Sequence, residues 1–308
     1  MTSPTPQPKR TSVGAVVRAL RPHQWVKNVF VLVPLVFAGP ELRAAGRLTE
    51  SLILHVLLGV LAFCLQSSAT DLLNDLHDVE ADRRHPVKRL RPIAAGELPV
   101  PAAWTWFWAI LATAAVLSWL AGGLFIAYVA AYFVMNTAYS KGLKHVAWVD
   151  AAVISAGFVL RILAGAEVAH VHVSHWLVGC TVLLSLFQAL GKRKHELLTS
   201  DTSHRIALMR YQKAHLNVAL PLLAWATAGV YLGYTLDPDT ARRFGTHLLP
   251  WTVPFPLLGM WRFAKLLDDA ETPRSPTERM LRDPLFVANL AAWALTVGLL
   301  IYGVVGSA

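Results

Sequence analysis

Residues 51–70 and residues 98–140 are two of the stretches that lack Asp, Glu, Lys and Arg over the length that a membrane-spanning helix requires. About 20 apolar residues at 1.5 Å per residue cross the roughly 30 Å hydrocarbon layer of a bilayer. The second stretch is long enough for two such helices, and Gly122 and Gly123 mark the expected turn between them. Since lipid offers the backbone no hydrogen-bond partners, we expect both stretches to fold as transmembrane helices.

The rest of the chain follows the same pattern and predicts an all-α, polytopic membrane protein. The chain is 55% hydrophobic and only 15% charged, and its mean hydropathy is +0.46, which excludes an ordinary soluble domain. Residues 1–17 are polar and Pro-rich and are expected to form a flexible N-terminus, followed by a single transmembrane domain over 18–308. Nine spans are expected, near residues 28–40, 51–70, 98–140 (two spans), from 150 onward, 168–191, 214–236, 244–261 and 284–308. The first span is short, so we expect that it either begins before Lys27 or is interrupted at Pro34.

The distribution of positive charge orients the predicted spans. Of the 28 Lys and Arg residues, 23 fall in the N-terminal segment and in the loops on one side, which the positive-inside rule assigns to the cytoplasm. An odd number of spans then leaves the C-terminus outside. The formal net charge of +9 favours anionic partners such as lipid headgroups and phosphorylated substrates, whereas so apolar a chain excludes nucleic acid. Cys64 and Cys180 lie in apolar runs and indicate no disulfide framework.

A dense group of charges stands at the end of the second predicted span. Residues 74–82 read Asn-Asp-Leu-His-Asp-Val-Glu-Ala-Asp, and residues 83–91 read Arg-Arg-His-Pro-Val-Lys-Arg-Leu-Arg. On one continuous helix Asp75, Asp78 and Asp82 fall within about 60° of one another. Carboxylates that close together beside a bilayer repel one another unless a cation lies between them.

The acidic group predicts a magnesium and phosphate site. Mg²⁺ takes oxygen ligands and usually shares one or two carboxylates with substrate phosphates. The predicted catalytic carboxylates and metal ligands are Asp75, Asp78 and Asp82. Asn74 is a further metal and substrate ligand, and Asp71 falls on the same stripe one turn deeper. The alternative is an acidic helix end that faces water and is neutralised by the basic residues after it.

The Asn-Asp-x-x-Asp-x-x-x-Asp spacing of residues 74–82, at the cytoplasmic end of the second of nine spans, resembles the UbiA superfamily of intramembrane transferases. The resemblance covers nearly the whole chain. It implies an all-α fold of nine transmembrane helices around a central cavity, with Mg²⁺ and a diphosphate held by the acidic motif. Ordinary members move a prenyl group from a prenyl diphosphate to an aromatic or other acceptor, and they carry a second motif, Asp-x-x-x-Asp, after the sixth helix.

The chain departs from most of the superfamily at that second motif. It is similar instead to the branch of the superfamily that uses a phosphoribosyl donor. Residues 191–201 read Gly-Lys-Arg-Lys-His-Glu-Leu-Leu-Thr-Ser-Asp, so basic residues stand in the expected place. The similarity to the branch is carried by residues 21–28, 74–82, 85–96, 142–145, 160–165 and 191–193.

The branch uses 5-phosphoribosyl 1-diphosphate as donor and a polyprenyl phosphate of the decaprenyl type as acceptor, and it releases diphosphate. In cells the product feeds synthesis of cell-wall arabinan. The resemblance implies the same reaction for this chain, in a bacterial inner membrane with the active site facing the cytoplasm. It leaves the oligomeric state open, with a homo-oligomer among the alternatives.

The three phosphate groups of such substrates need cations, and an acceptor phosphate that is already an anion needs no strong base. The predicted substrate-binding residues are Lys27, Asn74, Lys88, Arg89, Tyr139, Lys144, Arg161, Lys192 and Arg193. The alternative for most of the basic ones is ordinary cytoplasmic-side charge that contacts lipid headgroups. Arg161 lies about three turns into the fifth span. An unpaired cation is costly there, so Arg161 either pairs with Glu167 or Asp71 or lines the cavity, and the cavity is favoured.

Two other functions stay open at this point. One is a UbiA-type prenyltransferase with a prenyl diphosphate donor, against which the missing second acidic motif argues. The other is a transporter with an ion path through the intramembrane acids and Arg161, which is disfavoured because the acids cluster at a helix end and not at the midplane. Magnesium dependence separates the enzymes from the transporter, and the identity of the donor separates the two enzymes.

Overall fold

A computed structural model describes residues 12–143, 146–199, 211–268 and 276–303, and every regular element in these ranges is helical. The α-helices are α1 (Val13–Leu20), α2 (Val33–Ala44), α3 (Glu50–His77), α4 (Val79–Arg84), α5 (Val100–Ala121), α6 (Phe125–Lys141), α7 (Val149–Ala169), α8 (His175–Thr199), α9 (Lys213–Leu236), α10 (Pro238–Phe244), α11 (Pro254–Asp268), α12 (Pro276–Arg282) and α13 (Pro284–Gly298). Shorter 3₁₀ segments cover Pro22–Val31, Lys88–Leu90 and Leu249–Thr252, and a π-helical turn covers Leu299–Gly303.

Six helical segments in the described ranges are long and apolar enough to cross a membrane. They are Pro22–Ala44, Glu50–His77, Val100–Ala121, Val149–Ala169, Lys213–Leu236 and Pro284–Gly303. The three remaining predicted spans coincide with α6, α8 and α11, which are either short or carry charged residues at one end. The all-α, multi-pass prediction is therefore confirmed, and a count of nine spans is compatible with the helices.

Several predicted boundaries differ from the structure. The first span is a composite, in which the 3₁₀ segment Pro22–Val31 precedes α2, so it does borrow residues from before Lys27. The sixth predicted span corresponds to α8, which begins at His175 instead of residue 168 because α7 continues to Ala169. In place of the predicted span 244–261, α11 covers Pro254–Asp268 after a short 3₁₀ turn.

Part of the N-terminal segment that was predicted to be flexible is helical. Helix α1 begins at Val13, inside the predicted flexible segment 1–17, with the side chain of Ser12 accepting a hydrogen bond at its N-cap. Val16 and Ala19 are buried in a hydrophobic cluster with residues of α3 and α5. Residues 1–11 lie outside the described ranges, and the single domain over 18–308 stays a prediction.

The chain divides into two compact units, of which the first contains Met1–Leu35, Thr49–Ser140 and Leu160–Val171. Its core forms where α3 packs against α5 and against the 3₁₀ segment. Phe63 and Phe125 meet edge to face at 5.7 Å between ring centroids. A Cβ added at Gly165 would come within 2.0 Å of the Val31 carbonyl oxygen. Only glycine therefore lets α7 approach the 3₁₀ segment backbone to backbone.

The second unit contains Val36–Leu48, Lys141–Val159 and His172–Ala308. Its core joins α8, α9 and α11 around Phe187, Leu216 and Phe263. At the start of α13, Asp283 accepts from the backbone N–H of Phe286 and from two nitrogens of Arg262, at 2.6 and 3.0 Å. The hydrogen bond from Arg262 lowers the pKa of Asp283 below its ordinary value, so this N-cap stays ionised.

Candidate active site

The acidic motif spans a break between two helices. Helix α3 ends at His77, and Asp78 caps it with its own N–H bonded to the Asn74 carbonyl at 2.9 Å. Asp78 has φ −93° and ψ 8°, and α4 begins directly after it. The assumption of one continuous helix from Asp75 to Asp82 is therefore wrong. Asp is a weak helix-interior residue and favours helix ends, which agrees with a break at this position.

Asp75 and Asp82 nevertheless come together, because one arginine holds both of them. The Nη1 atom of Arg91 lies 2.9 Å from Asp75 Oδ1 and 2.7 Å from Asp82 Oδ2. Both carboxylates are almost fully buried, each with 2% of the residue exposed. The Nζ atom of Lys88 is 4.0 Å from Asp82 Oδ1. Two carboxylates from two helices thus converge on a single cationic nitrogen.

A second arginine connects Asp75 to the deeper Asp71. The Nη2 atom of Arg21 lies 2.6 and 2.7 Å from the two oxygens of Asp75, and its Nη1 lies 3.1 Å from Asp71 Oδ1. Burial alone would lower the pKa of the Arg21 guanidinium, but the charges of Asp71 and Asp75 raise this pKa above its ordinary value. Arg21 is therefore a permanent cation at the end of α3.

Sequence reasoning left Arg21 and Arg91 out of the site. The signal that could have found them was present, because buried carboxylates beside a membrane need cationic partners. Arg21 ends α1 in the left-handed region, at φ 50°, and its neighbour Pro22 begins the 3₁₀ segment. This backbone turn could not be read from the local sequence, since such a conformation is uncommon for a non-glycine residue.

The 3₁₀ segment that carries Lys27 is fixed to α3 on both sides of that lysine. Trp25 donates its indole N–H to Ser68 Oγ at 2.9 Å, and Ser68 in turn donates to the Leu20 carbonyl at 2.7 Å. Asn28 is fully buried and its amide donates to Cys64 Sγ at 3.4 Å. The exposed Lys27 side chain is thus presented by a rigid backbone.

Arg161 is buried in the first unit and joins α7 to the 3₁₀ segment and to α6. Its Nε donates to Asn28 Oδ1 and its Nη2 to the Tyr132 hydroxyl, both at 2.8 Å. The guanidinium carbon also lies 4.5 Å from the Tyr132 ring centroid. Glu167, one of the two expected partners, instead accepts from the backbone N–H of Leu124 at 3.1 Å. Phosphate binding by Arg161 stays a prediction, whereas its positioning of Asn28 is part of the fold.

Arg193 lies in the core of the second unit, with 1% of the residue exposed. Its Nε is 2.8 Å from Asp150 Oδ2, and it also pairs with Glu196. The Tyr211 hydroxyl donates to Asp150 Oδ1 at 2.5 Å and accepts from the backbone N–H of Trp148 at 2.8 Å. Burial and the hydrogen bond to Asp150 raise the pKa of Tyr211 well above its ordinary value. The structure therefore places the predicted phosphate ligand Arg193 in a buried network.

The other predicted substrate-binding residues vary in exposure. Lys88 and Arg89 are exposed in the 3₁₀ turn between α4 and Arg91, and Asn74 and Tyr139 are partly buried on α3 and α6. Lys192 is partly buried on α8, in the second unit. Lys144 lies outside the described residues. The roles of all of these side chains stay predictions.

The donor atoms at the end of α3 suit a hard cation. Within the described ranges, no three side chains of His, Cys, Asp and Glu type gather into a metal site. Asp75 and Asp82, however, already direct oxygens at one cationic atom. Mg²⁺ commonly needs only one or two carboxylates when substrate phosphates complete its ligands. The residues present thus fit a magnesium ion held by a carboxylate pair, with Asn74 and Asp78 nearby in the chain.

An all-helical, multi-pass membrane protein with buried carboxylates and arginines at the end of a span has the construction of a membrane-embedded transferase of phosphorylated substrates. The comparisons with known proteins agree with this class. The sequence model of the UbiA prenyltransferase family matches residues 31–290. The chain belongs to this family.

Relatives in the family include proteins named decaprenyl-phosphate phosphoribosyltransferase. The one from Corynebacterium glutamicum is 34% identical over 96% of this chain and 89% of its own length. The one from Mycobacterium tuberculosis is 33% identical over 95% of this chain and 96% of its own length.

Among solved structures, a UbiA homolog from Archaeoglobus fulgidus bound to GPP and Mg²⁺ matches with a TM-score of 0.69. Its sequence is 16% identical, and the match covers 95% of this chain and 99% of that one. At this identity the match establishes the fold alone.

Proposed function

We propose that the protein transfers 5-phosphoribose from 5-phosphoribosyl 1-diphosphate to a polyprenyl phosphate of the decaprenyl type and releases diphosphate. The product would be a polyprenyl-phosphoryl 5-phosphoribose, a precursor for cell-wall arabinan. The observation that carries the proposal is the convergence of Asp75 and Asp82 on one cation at the end of α3. The near full-length relatives named decaprenyl-phosphate phosphoribosyltransferase support the choice of donor and acceptor.

The carboxylate pair would hold a magnesium ion together with the diphosphate of the donor. Asp75 and Asp82 are the first two proposed ligands, a choice supported by their shared contact with Arg91, and Asn74 and Asp78 are the further proposed ligands. When bound, Mg²⁺ supplies the positive charge that neutralises the diphosphate as it leaves. Arg21 fixes the orientation of the Asp75 carboxylate through contacts to both of its oxygens. The lone pairs of Asp75 that remain for a metal ion therefore have a fixed direction.

The cations of the site would hold and steer the remaining phosphates. The acceptor phosphate is a nucleophile without proton removal, so its positioning is the main requirement. The proposed phosphate-binding cations are Lys27, Lys88, Arg89, Lys144 and Lys192. Arg161 and Arg193 are buried and bonded within their own units, so we propose that they act by positioning neighbouring segments. Lys88, which lies 4.0 Å from Asp82, is the best placed for a phosphate beside the metal.

The membrane location of this reaction is also a proposal. The protein would span the bacterial inner membrane, with the acidic motif on the cytoplasmic side where a soluble, charged donor is made. The basic loops on that side follow the positive-inside rule. Bilayer lipids would surround the spans, and the acceptor would reach the site from the lipid phase.

A transfer assay tests the proposed function. Membranes that contain the protein are supplied with 5-phosphoribosyl 1-diphosphate labelled in the ribose, a polyprenyl phosphate and Mg²⁺. We expect label in the lipid phase only when all three are present. Absence of lipid label, together with activity on a prenyl diphosphate and an aromatic acid, would instead make the chain an ordinary UbiA-type prenyltransferase.

A further inference from the structure

The position between Asp75 and Asp82 is already filled by a side chain of the protein. A single nitrogen of Arg91 contacts one oxygen of each carboxylate, at 2.9 and 2.7 Å. A metal ion shared by these two carboxylates would lie in the same space between them as this nitrogen. Two cations cannot both occupy the space between one pair of buried carboxylates, because their charges repel at this distance. Arg91 and a shared metal ion are therefore alternatives.

The two arginines of the site differ in how firmly they are held. Arg21 makes three contacts of 2.6 to 3.1 Å to Asp71 and Asp75, and 17% of its side chain is exposed. Arg91 makes its two contacts through one nitrogen only, and 29% of its side chain is exposed. Arg91 is thus the arginine that can leave, since a more exposed guanidinium regains water when its contacts are lost.

Arg91 also closes a short loop of the chain. Its side chain returns to Asp82, nine residues earlier, so residues 83–90 form a loop with its two ends joined by this ion pair. Val87 and Leu90 in this loop are 66% and 73% exposed, so these two apolar side chains are not packed into a core. The ion pairs of Arg91 therefore connect the far end of the loop to Asp75 and Asp82, beside the 4.0 Å contact of Lys88 with Asp82.

We propose that Arg91 is a resident counter-ion that keeps the carboxylate pair assembled before the metal binds and that is exchanged for the metal on binding. The inference rests on the proposed function. Arg21 stays in place throughout as the permanent counter-ion of Asp71 and Asp75. The released guanidinium then turns its charge from the carboxylates to the phosphate oxygens that arrive with the metal. Each state places one cation between the two carboxylates, Arg91 with one positive charge before binding and Mg²⁺ with two after it, and the phosphate oxygens that arrive with the metal balance the added positive charge.

A binding measurement without turnover tests the exchange. Purified protein in detergent is titrated with Mg²⁺, with and without inorganic diphosphate, and the rise in the thermal unfolding temperature gives the midpoint concentration. In R91Q the competing cation is gone, so we expect lower stability without Mg²⁺. In the titration without diphosphate, which is the one compared between variants, we expect a midpoint roughly tenfold lower than in the wild type, the factor that corresponds to about 1.4 kcal/mol. The matched control is R83Q, since Arg83 is an exposed arginine of the same segment that pairs with Glu80; its midpoint should equal that of the wild type.

A second variant covers the case in which R91Q does not fold. R91K keeps a positive charge but loses the guanidinium, and we expect its midpoint between those of R91Q and the wild type. A midpoint in R91Q or R91K equal to or above that of the wild type would overturn the exchange. A wild-type protein that Mg²⁺ does not stabilise with or without diphosphate would overturn the magnesium site itself, and with it the proposed function, so the two failures are distinguishable.

Discussion

At the scale of single residues, the site is a balance of buried charges. Asp75 accepts hydrogen bonds from Arg21 and from Arg91, and Asp82 also accepts a hydrogen bond from Arg91. Burying unpaired carboxylates would be costly, and pairing them with arginines removes most of that cost. The pairing also keeps the carboxylate oxygens close together, which is the arrangement that a shared divalent cation needs.

Asp75→Asn tests the metal assignment. Because Asp75 is the acid that lies between both arginines, we expect transfer of phosphoribose to fall by about 100-fold or more while the protein still folds. Glu80→Gln is the control, since Glu80 lies in the same motif but is 70% exposed and pairs only with the surface residue Arg83 in the described contacts. The readout is the initial rate of lipid labelling. Equal rates in the two variants would remove Asp75 from the site.

The buried network of the second unit makes a prediction about stability. Asp150→Asn leaves Arg193, which is 1% exposed, without its full counter-charge, and should destabilise the protein by about 3 kcal/mol. Tyr211→Phe removes one buried hydrogen bond to Asp150 and should cost about 1–2 kcal/mol. Thermal unfolding in detergent measures both changes.

The surface pair Arg242–Asp239 supplies the comparison for this network. Its side chains are 77% and 78% exposed, so Asp239→Asn should leave the unfolding temperature unchanged. If Asp150→Asn proves as mild as Asp239→Asn, Arg193 is not anchored by Asp150, and its assignment as a direct phosphate ligand returns.

The sequence predicted the acids better than their partners. Asp75 and Asp82 could be found because charge at the end of an apolar span is unusual. Arg21 could not, since it is 50 residues or more from the acids in sequence, and only the turn at the end of α1 brings it to them. The burial of Arg193 could not be predicted either, because a basic run at a membrane surface does not reveal which of its residues points inward.

At the scale of helices, length and apolarity were enough to locate the spans but not their irregular ends. The turn at Gly122 and Gly123 was predictable because both glycines adopt positive φ, at 91° and 58°. The break at Asp78 was not predicted, because Asp75, Asp78 and Asp82 also fit one face of a continuous helix, although Asp favours helix ends. The 3₁₀ form of Pro22–Val31 was equally hidden, since it is fixed by side-chain bonds from Trp25 and Asn28.

The contact of α7 with the 3₁₀ segment gives a prediction at this scale. Gly165→Ala would place a methyl group within 2.0 Å of the Val31 carbonyl oxygen, so the backbones must separate and stability should fall by about 1–3 kcal/mol or more. Transfer activity should fall with it, because the segment carries Lys27. Gly229→Ala on α9 is the matched control, since no heavy atom would lie within 4 Å of its added Cβ. That change should be neutral or stabilise by about 0.5–1 kcal/mol. Equal unfolding temperatures for the two variants would contradict the close backbone contact.

At the scale of the whole molecule, the distribution of charge sets a testable orientation. The loop after α4 should face the cytoplasm and α10 should face the opposite side. Val87→Cys and Asp239→Cys place thiols at positions whose residue or side chain is 66% and 78% exposed, whereas the native Cys64 is buried and Cys180 partly so. A membrane-impermeant maleimide applied to intact cells should label only Asp239→Cys, and both variants after permeabilisation. The reverse pattern would place the acidic motif outside.

The central claim is that the donor's bond between C1 of the ribose and its diphosphate breaks at the carboxylate pair. The most direct measurement uses a donor with one label in the ribose and another in the β-phosphate, supplied with polyprenyl phosphate and Mg²⁺. We predict that the ribose label enters the lipid phase and the phosphate label stays in water as diphosphate, one for one, and that Asp75→Asn loses both signals. Both labels entering the lipid together, or neither label moving while a prenyl diphosphate reacts, would contradict the account.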